Sequence, residues 1–327
     1  MEVQDLRVEL PVDGSGYPAV DGVSFTLAAG ECVAVVGESG SGKTQLARAL
    51  LGLPPGGGKI SGRFAYAGRE LFPLSEKEWR SVRGGEIGLV FQEPAWAFDP
   101  VQTIGSQIQE AVLLHRRVSR AQARSIAVAS LRDAAFPDPE SALGEYAHRL
   151  SGGLRQRAFL ALTLAPRPQV LLADEPTAAL DSTVAAQVLD LVENLRRERG
   201  LGVLLITHDL GIVARRSDRV LVLYAGRVVE EAATADLFRA PSHPYTRGLL
   251  AAVPRLRSTG RLEGERYATI PGSLADLSAR PRGACAFAPR CPDRFDPCEL
   301  REPAPFPAPS GRARCFLYEN GPPEAAR

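Results

Sequence analysis

The residues best suited to chemistry lie in one glycine-rich run, Gly37-Glu38-Ser39-Gly40-Ser41-Gly42-Lys43-Thr44. Its glycines let consecutive backbone N–H groups converge on phosphate oxygens, and a helix beginning there adds partial positive charge. In that arrangement Lys43 would reach the outer phosphates and the Thr44 hydroxyl would ligate magnesium. The run fits the pattern G-x-x-x-x-G-K-[ST], which predicts that the chain binds a nucleoside triphosphate.

The flanking segments are those that a phosphate-binding loop requires. Residues 32–36 are apolar and predict a buried strand before the run, and residues 45–51 are good helix formers after it. Upstream, strand-like alternation over residues 3–10 and 23–27 is separated by a turn at residues 13–16. This pattern predicts an antiparallel β-subdomain beside the nucleotide.

Composition limits the remaining possibilities. The 327 residues could form one large domain with an appendage, or two small domains. A formal net charge of +1 gives no strong field for nucleic acid or for an acidic membrane surface. No apolar run approaches the roughly 18 residues that span a bilayer, and the first five residues are polar, unlike a secretory signal. The chain is therefore expected to be cytosolic unless a partner holds it elsewhere.

A helical block interrupts the alternation of strands and helices. Residues 87–91 predict a short strand, which ends at Gln92. From there to Leu150 the composition is mostly helical, and Ser119 with Gln122 fits a capping box at one helix start. We therefore expect an inserted helical subdomain over about residues 93–155.

A second pair of glycines follows this block, in the run Leu150-Ser151-Gly152-Gly153-Leu154-Arg155-Gln156-Arg157. Glycines opening a helix after a serine make another anion-binding helix N-terminus. The run resembles the signature motif of ABC-type ATPases, which other phosphate-loop proteins lack. The resemblance implies that this motif closes over the γ-phosphate held by a second, facing ATPase domain, through Ser151, Gly152, Gly153 and Gln156.

Further motifs of that family follow in order. Asp174 and Glu175 end an apolar run, and the resemblance implies that Asp174 holds the magnesium shell while Glu175 orients or deprotonates the attacking water. Asp181 matches the loop that contacts the facing domain. His208 matches the switch histidine that contacts the γ-phosphate, and Gln92 is implied to sense magnesium and to link the site to the helical subdomain.

The adenine-binding position departs from the family pattern. The family usually stacks adenine on an aromatic residue near the end of the first strand, where this chain has Leu10. Tyr17 lies beyond the following turn and could supply the ring instead, because stacking needs only an exposed aromatic face. Tyr17 is therefore a candidate for binding the base.

The end of the chain narrows the resemblance. Pro241-Ser242-His243-Pro244-Tyr245-Thr246 and a four-cysteine segment resemble the ATPase subunits of oligopeptide, dipeptide and nickel importers. The implied fold is α/β, with a phosphate-loop ATPase core of the ABC type, an antiparallel β-subdomain, an inserted helical subdomain and a small cysteine-containing extension. We expect the ATPase domain over residues 1–240 and the extension over residues 241–327.

Four of the five cysteines fall in this extension, at Cys285, Cys291, Cys298 and Cys315. In a cytosolic protein, clustered cysteines favour metal over disulfide. Four thiolates suit zinc or an iron–sulfur cluster, but zinc knuckles begin with two cysteines two to four residues apart. The spacing therefore favours a 4Fe–4S cluster, with Zn²⁺, reduced thiols or disulfides as alternatives. The cluster's role would be structural.

These resemblances imply an ATP-hydrolysing subunit of a bacterial ABC importer for di- or oligopeptides, or for related solutes such as nickel chelates. Its cofactors would be ATP and Mg²⁺. Its expected partners are a second ABC ATPase subunit, favoured as a different chain, two transmembrane permease subunits and an extracytoplasmic solute-binding protein. It would lie peripherally on the cytoplasmic side of the inner membrane, without nucleic acid. The alternatives are a soluble ABC ATPase acting on nucleic acid or the ribosome, and a phosphate-loop kinase.

Overall fold

The computed structural model describes residues 1–12, 15–93, 97–178, 180–253, 269–272 and 283–321. These residues form two sheets from twelve strands: β1 (Glu2–Val12), β2 (Ser15–Thr26), β3 (Cys32–Val36), β4 (Lys59–Tyr66), β5 (Arg69–Glu70), β6 (Ile87–Val90), β7 (Val170–Asp174), β8 (Gly202–Ile206), β9 (Arg219–Tyr224), β10 (Arg227–Ala233), β11 (Phe306–Ala308) and β12 (Gly311–Ala313).

Eleven α-helices connect and cover these strands in the described part of the chain: α1 (Lys43–Ala49), α2 (Glu76–Val82), α3 (Ile104–His115), α4 (Arg120–Asp133), α5 (Pro139–Ala142), α6 (Gly152–Leu164), α7 (Ser182–Arg199), α8 (Leu210–Arg216), α9 (Thr234–Arg239), α10 (Pro244–Ala251) and α11 (Asp296–Leu300). None of these helices has both the length and the apolar character needed to cross a membrane.

The first sheet is antiparallel, in the order β2-β1-β4-β5. Its inward side chains, such as Leu6, Val8 and Phe64, are fully buried. Antiparallel sheets commonly pack one face on the core and leave the other solvated. The β-subdomain predicted from the alternation is confirmed, although residues 13 and 14 of its predicted turn lie outside the described residues.

The second sheet has the order β11-β12-β10-β9-β3-β8-β7-β6, and its strands from β9 to β6 are parallel. Every residue of β3, β7 and β8 is buried. Such continuous apolar strands form where both faces of a parallel sheet are covered. Because β3, β8 and β7 are neighbours, the residues after their carboxyl ends meet at one edge of the sheet.

The helical insertion contains α3, α4 and α5 before α6. The predicted capping box at Ser119 is confirmed: its Oγ accepts from the Gln122 N–H, and the Gln122 side chain accepts from the Ser119 N–H. Ile104, Ile108 and Leu131 are fully buried in the core that the insertion shares with the main sheet. The two sheets and the inserted helices confirm the predicted α/β fold with an antiparallel β-subdomain and a helical insertion.

The C-terminal extension is joined to the main sheet. Strand β12 pairs antiparallel with β10, so the β11–β12 hairpin continues the sheet beyond its ATPase strands. Tyr245 and Phe287 pack with Tyr224 in a shared apolar cluster. The boundary at residue 240 stays a prediction, but the two parts are bound by both backbone pairing and side-chain packing.

Candidate nucleotide site

A cavity of about 1050 Å³ opens at the carboxyl ends of the parallel strands. Its walls come from the glycine-rich run, the β1–β2 hairpin, the ends of β7 and β8, and helix α10. Most of the predicted nucleotide residues line it: Tyr17, Gly37, Ser39, Gly40, Gly42, Lys43, Thr44, Gln92, Asp174, Glu175 and His208.

Two glycines of the loop have no room for a side chain. Gly42, the N-cap of α1, has φ of 105°, and a Cβ there would lie 2.3 Å from the Ala19 carbonyl oxygen. A Cβ on Gly37 would lie 2.2 Å from the Leu223 carbonyl oxygen. The loop can therefore pass close to its neighbours only with glycine at both positions, which leaves a backbone cradle of the kind that holds phosphate.

Lys43 reaches back over this loop. Its ammonium group donates to the carbonyl oxygens of Gly37 and Glu38, each at 2.8 Å. Burial lowers the Lys43 pKa, while the nearby carboxylates of Glu175, Asp174 and Glu38 act in the opposite direction. The ammonium is thus held at the cavity wall among acceptors, where a phosphate oxygen can replace a carbonyl as its partner.

The opposite wall carries oxygen ligands. Asp174, at the end of β7, is 5% exposed, and burial raises its pKa although a hydrogen bond from Thr44 lowers it. Thr44 and Gln92 line the same cavity. A carboxylate, a hydroxyl and an amide oxygen are hard donors of the type that magnesium prefers, so the residues fit Mg²⁺ beside a triphosphate.

Glu175 and His208 form a pair after adjacent strands. Glu175 Oε1 lies 2.7 Å from His208 Nδ1. The Glu175 side chain is 15% exposed and that of His208 is 73% exposed. The Glu175 N–H donates to the Ile206 carbonyl oxygen at 2.9 Å, which ties this residue to β8. A carboxylate fixed by an imidazole at a cavity wall can accept a proton from water.

The signature residues are not among those lining this cavity. Ser151 caps α6, with its Oγ accepting from the Leu154 N–H at 3.3 Å. Gly152 is exposed, and, apart from its chain neighbours and its own helix, no atom of the described residues lies within 4 Å of where its Cβ would be. The nearest neighbours of a Cβ on Gly153 are Val184 and Leu180, at 3.5 and 3.9 Å. This N-terminus of α6 therefore offers open space for a group from outside the chain.

Two further predicted nucleotide residues, Asp181 and Gln156, form hydrogen bonds within this chain. Asp181 caps α7 by accepting from the N–H groups of Thr183 and Val184, at 3.0 and 2.9 Å. Gln156 is 3% exposed, and its Nε2 donates to the Pro176 carbonyl oxygen at 2.8 Å. Gln156 thus connects α6 to the loop after Glu175 and does not reach the cavity.

Leu10, at the family's adenine position, and Tyr17, the candidate for stacking the base, lie side by side. Leu10 on β1 pairs with Tyr17 on β2 across the hairpin, and both line the cavity. The hairpin therefore offers Tyr17 at the wall where Leu10 leaves no aromatic ring. Its role in stacking the base stays a prediction.

The four cysteines of the extension are free thiols in the structure. Cys298 and Cys315 are buried in two separate apolar clusters, and burial raises the pKa of Cys291 to about 11 and that of Cys315 to about 12. Among the described residues, no group of three or more histidine, cysteine or acidic side chains is placed to hold a metal ion. The described residues therefore give no support to the 4Fe–4S prediction or to its Zn²⁺ alternative.

Sequence reasoning missed one wall of the cavity. Leu249, Ala252 and Val253, at the end of α10, line it from the extension. Tyr245 and Leu249 are four residues apart, a helical spacing that places both on one face. That spacing predicts a helix with one packed face. It does not show that this face packs beside the glycine-rich run near the start of the chain.

Comparison with solved structures defines the class. The post-hydrolysis dimer of the ATP-binding cassette MJ0796 bound to ADP and phosphate matches with a TM-score of 0.65 and 27% identity, over 71% of this chain and 98% of that one. The cassette cbiO1 from Clostridium perfringens matches with a TM-score of 0.60 and 25% identity, over 73% and 92%. The fold is therefore that of an ABC-type ATPase.

Sequence comparison is more specific. The ABC transporter family matches residues 20–178, and the oligopeptide/dipeptide transporter C-terminal region matches residues 229–298. The oligopeptide transport ATP-binding protein AppD of Bacillus subtilis is 44% identical over 98% of this chain and 97% of its own length. OppD of Salmonella typhimurium is 43% identical over 97% and 93%. The chain belongs to the ABC transporter family, in its group of oligopeptide and dipeptide transport ATP-binding proteins.

Proposed function

We propose that this chain binds and hydrolyses ATP to energise a bacterial importer of di- or oligopeptides, or of related solutes such as nickel chelates. The observation that carries the proposal is the single cavity that joins Lys43, Asp174, Glu175 and His208. The peptide class rests on the relatives, whose similarity extends through the C-terminal region. The relatives found give no support to the nucleic-acid alternative.

Each cavity residue has a role in this mechanism. The loop N–H groups and Lys43 would bind the phosphates, and Thr44, Asp174 and Gln92 would hold Mg²⁺, which would supply positive charge beside the phosphate oxygens. Glu175 orients the attacking water and takes its proton. His208, hydrogen-bonded to Glu175, fixes that carboxylate and is near enough to the cavity to contact the γ-phosphate.

The second anion-binding helix end implies a facing ATPase subunit. Ser151, Gly152 and Gly153 are exposed or open and lie outside this chain's cavity. We propose that they complete the site of the facing subunit, with Asp181 at the contact, and that the facing subunit completes this one. A different ABC ATPase chain is the favoured partner. Closure of the pair on ATP and its reopening after hydrolysis would drive transport.

Two permease subunits would receive this movement on the cytoplasmic side of the inner membrane, with an extracytoplasmic solute-binding protein delivering the solute. The helical insertion is the proposed dock for the permeases. Val101 and Leu114 in this insertion are 80% and 72% exposed, which leaves apolar surface for a partner. This docking surface and the membrane location are proposals.

The function can be tested by transport. Membrane vesicles holding the assembled transporter should take up labelled di- or oligopeptide in an ATP-dependent way with the natural chain, and not with Lys43→Ala. We expect the solute-binding protein with peptide to stimulate hydrolysis. Stimulation by RNA or ribosomes, without peptide uptake, would favour the nucleic-acid alternative.

The metal content of the extension is a separate question. We propose to measure iron, zinc and acid-labile sulfide in protein purified without oxygen, together with its visible spectrum. Close to four irons and four sulfides per chain, lost on Cys291→Ser, would establish the cluster. Zinc or no metal would reject it, and the proposed ATPase function would stand in either case.

A further inference from the structure

Two residues of the extension form hydrogen bonds with Glu38, the second residue of the phosphate loop. Arg290 of the extension donates to both oxygens of the Glu38 carboxylate, at 2.7 and 3.0 Å. The Arg290 side chain is 7% exposed and that of Glu38 is 28% exposed. A bidentate pair of this kind fixes direction as well as distance. The side chain of the loop's second residue is therefore held from a position 252 residues later in the chain.

The backbone of the same residue is held as well. The Glu38 N–H donates to the Tyr245 hydroxyl oxygen at 2.8 Å. Tyr245 is fully buried, with its ring centroid 4.7 Å from that of Tyr224 and 5.4 Å from that of Phe287. The Arg290 guanidinium lies over the Tyr224 ring at 5.8 Å. Both groups that hold Glu38 thus rest on one packed aromatic cluster.

The hold continues into the nucleotide site. The Glu38 carbonyl oxygen is one of the two acceptors that anchor the Lys43 ammonium. Helix α10, which carries Tyr245, also lines the cavity through Leu249. Two groups of the extension therefore reach Lys43 through a single intervening residue.

We propose that Arg290 and Tyr245 are positioning residues for ATP, which set the phosphate loop and neutralise the Glu38 carboxylate beside the triphosphate. This inference rests on the proposed ATPase function. Without Arg290, the Glu38 charge would remain at the cavity wall and repel the phosphates. This repulsion would act in the ground state and the transition state alike. Removing Arg290 is therefore expected to weaken ATP binding and to leave the rate of the chemical step unchanged.

The first measurement is ATP affinity of the full-length chain by calorimetry. Arg290→Met should weaken binding about tenfold, within the range of coupling between contacting charges. In the assembled transporter it should raise the KM for ATP and leave kcat within about twofold. The matched control is Arg301→Met, because Arg301 also makes a bidentate pair within the extension, with Glu319 at 2.8 and 2.7 Å, and lies over the Phe316 ring. This control should bind ATP as the natural chain does.

Rescue separates positioning from damage to the fold. Adding Glu38→Gln to Arg290→Met removes the unpaired charge and should restore most of the lost affinity. Tyr245→Phe keeps the packed ring, loses the hydroxyl and should weaken binding about threefold, the loss of one neutral hydrogen bond. Equal affinities for Arg290→Met and Arg301→Met, or no rescue by Glu38→Gln, would overturn the inference. A natural chain that binds no ATP would overturn the proposed function as well.

Discussion

Glu175 stands in a left-handed backbone conformation, with φ of 52°. Such a conformation is uncommon for a residue with a side chain and persists only where neighbours hold it. Here two hydrogen bonds stabilise it. The Glu175 N–H donates to the Ile206 carbonyl oxygen, and the Glu175 carboxylate is hydrogen-bonded to His208. The backbone turn directs a carboxylate to the cavity wall directly after a buried strand. It is this placement, more than the presence of an acid, that suits Glu175 to activate water.

Replacing Glu175 tests that role. Glu175→Gln keeps the size of the side chain but removes its capacity to take a proton, so ATP should bind as before while hydrolysis falls at least about a hundredfold. The measurements are ATP affinity and single-turnover hydrolysis in the assembled pair. Glu198→Gln, at an exposed position on α7, is the control and should leave both unchanged. Near-normal turnover in Glu175→Gln would remove Glu175 from the mechanism.

His243 predicts a dependence of stability on pH. It is 2% exposed and caps α10 with Nδ1 accepting from the Tyr245 N–H at 3.0 Å. Burial, assisted by Arg247, lowers its pKa from 6.5 to about 3. Between these values the unfolded chain binds a proton that the folded chain does not, so stability falls as pH falls.

The expected loss from this residue is about 2 kcal/mol between pH 7 and pH 5. Urea unfolding at the two pH values measures it. Asparagine is also a good N-cap, so His243→Asn should keep the helix start and remove this part of the pH dependence. An equal loss in His243→Asn and the natural chain would show that other groups carry it.

Single residues could be predicted where the motif itself fixes their surroundings. Lys43, Asp174 and His208 each follow a recognisable strand or glycine turn, and all three line the cavity, while their roles stay predictions. Gln156 lies in a motif too, yet its amide is used inside the chain on the Pro176 carbonyl. Its spacing along α6 was visible, but the partner of a buried amide depends on packing that the sequence does not display.

At the scale of elements, the N-terminus of α6 is exposed at Ser151 and Gly152. Ser151→Arg would place a long cation at this N-terminus, against the positive end of the helix and in the space proposed for the facing γ-phosphate. We expect hydrolysis at the facing site to be lost while this chain still binds ATP. The measurement is turnover of the assembled pair beside ATP affinity of the single chain.

The control for this substitution is Ser119→Arg. Ser119 is also an exposed serine N-cap, on α4, so its replacement costs a similar loss of helix capping, about 1 kcal/mol. It should leave turnover intact. If the pair retained turnover with Ser151→Arg, the proposed sharing of sites between two subunits would be wrong.

Some elements could be predicted because the residues that define them are close together in the sequence. The capping box joins Ser119 and Gln122, which are three positions apart, and the β1–β2 hairpin follows from alternation on both sides of a turn. The pairing of β12 with β10 was not predictable in the same way. Glu230 pairs with Ala313 across 83 positions, and three-residue strands carry too little pattern to reveal a partner so distant.

At the scale of the whole molecule, a buried carboxylate joins the ATPase part to the extension. Glu230 on β10 is 1% exposed. It accepts from the backbone N–H groups of Ser242 and His243, at 2.8 and 2.9 Å, and from the Ser310 hydroxyl at 2.5 Å. All three donors lie beyond residue 240. A charge placed here is tolerated only because the extension satisfies it.

Ending the chain at residue 240 should therefore destabilise what remains. The truncation removes the three donors of Glu230 and takes Tyr245 and Phe287 out of the shared apolar cluster, where losing one large aromatic side chain costs about 3–5 kcal/mol. Since a domain's total stability is about 5–15 kcal/mol, most of it would be lost. Urea unfolding of residues 1–240 against the full chain measures the difference.

A second substitution makes this prediction specific to Glu230. Glu230→Gln should destabilise the full chain, because the amide NH2 group cannot accept a hydrogen bond from the donor that it would face. In the truncated chain the same change should have little effect, because water can reach this side chain once the segment that binds it is removed. A loss of stability confined to the full chain follows only if the extension supplies the partners of this carboxylate. An unchanged urea midpoint for residues 1–240 would instead show that the ATPase domain is equally stable without the extension.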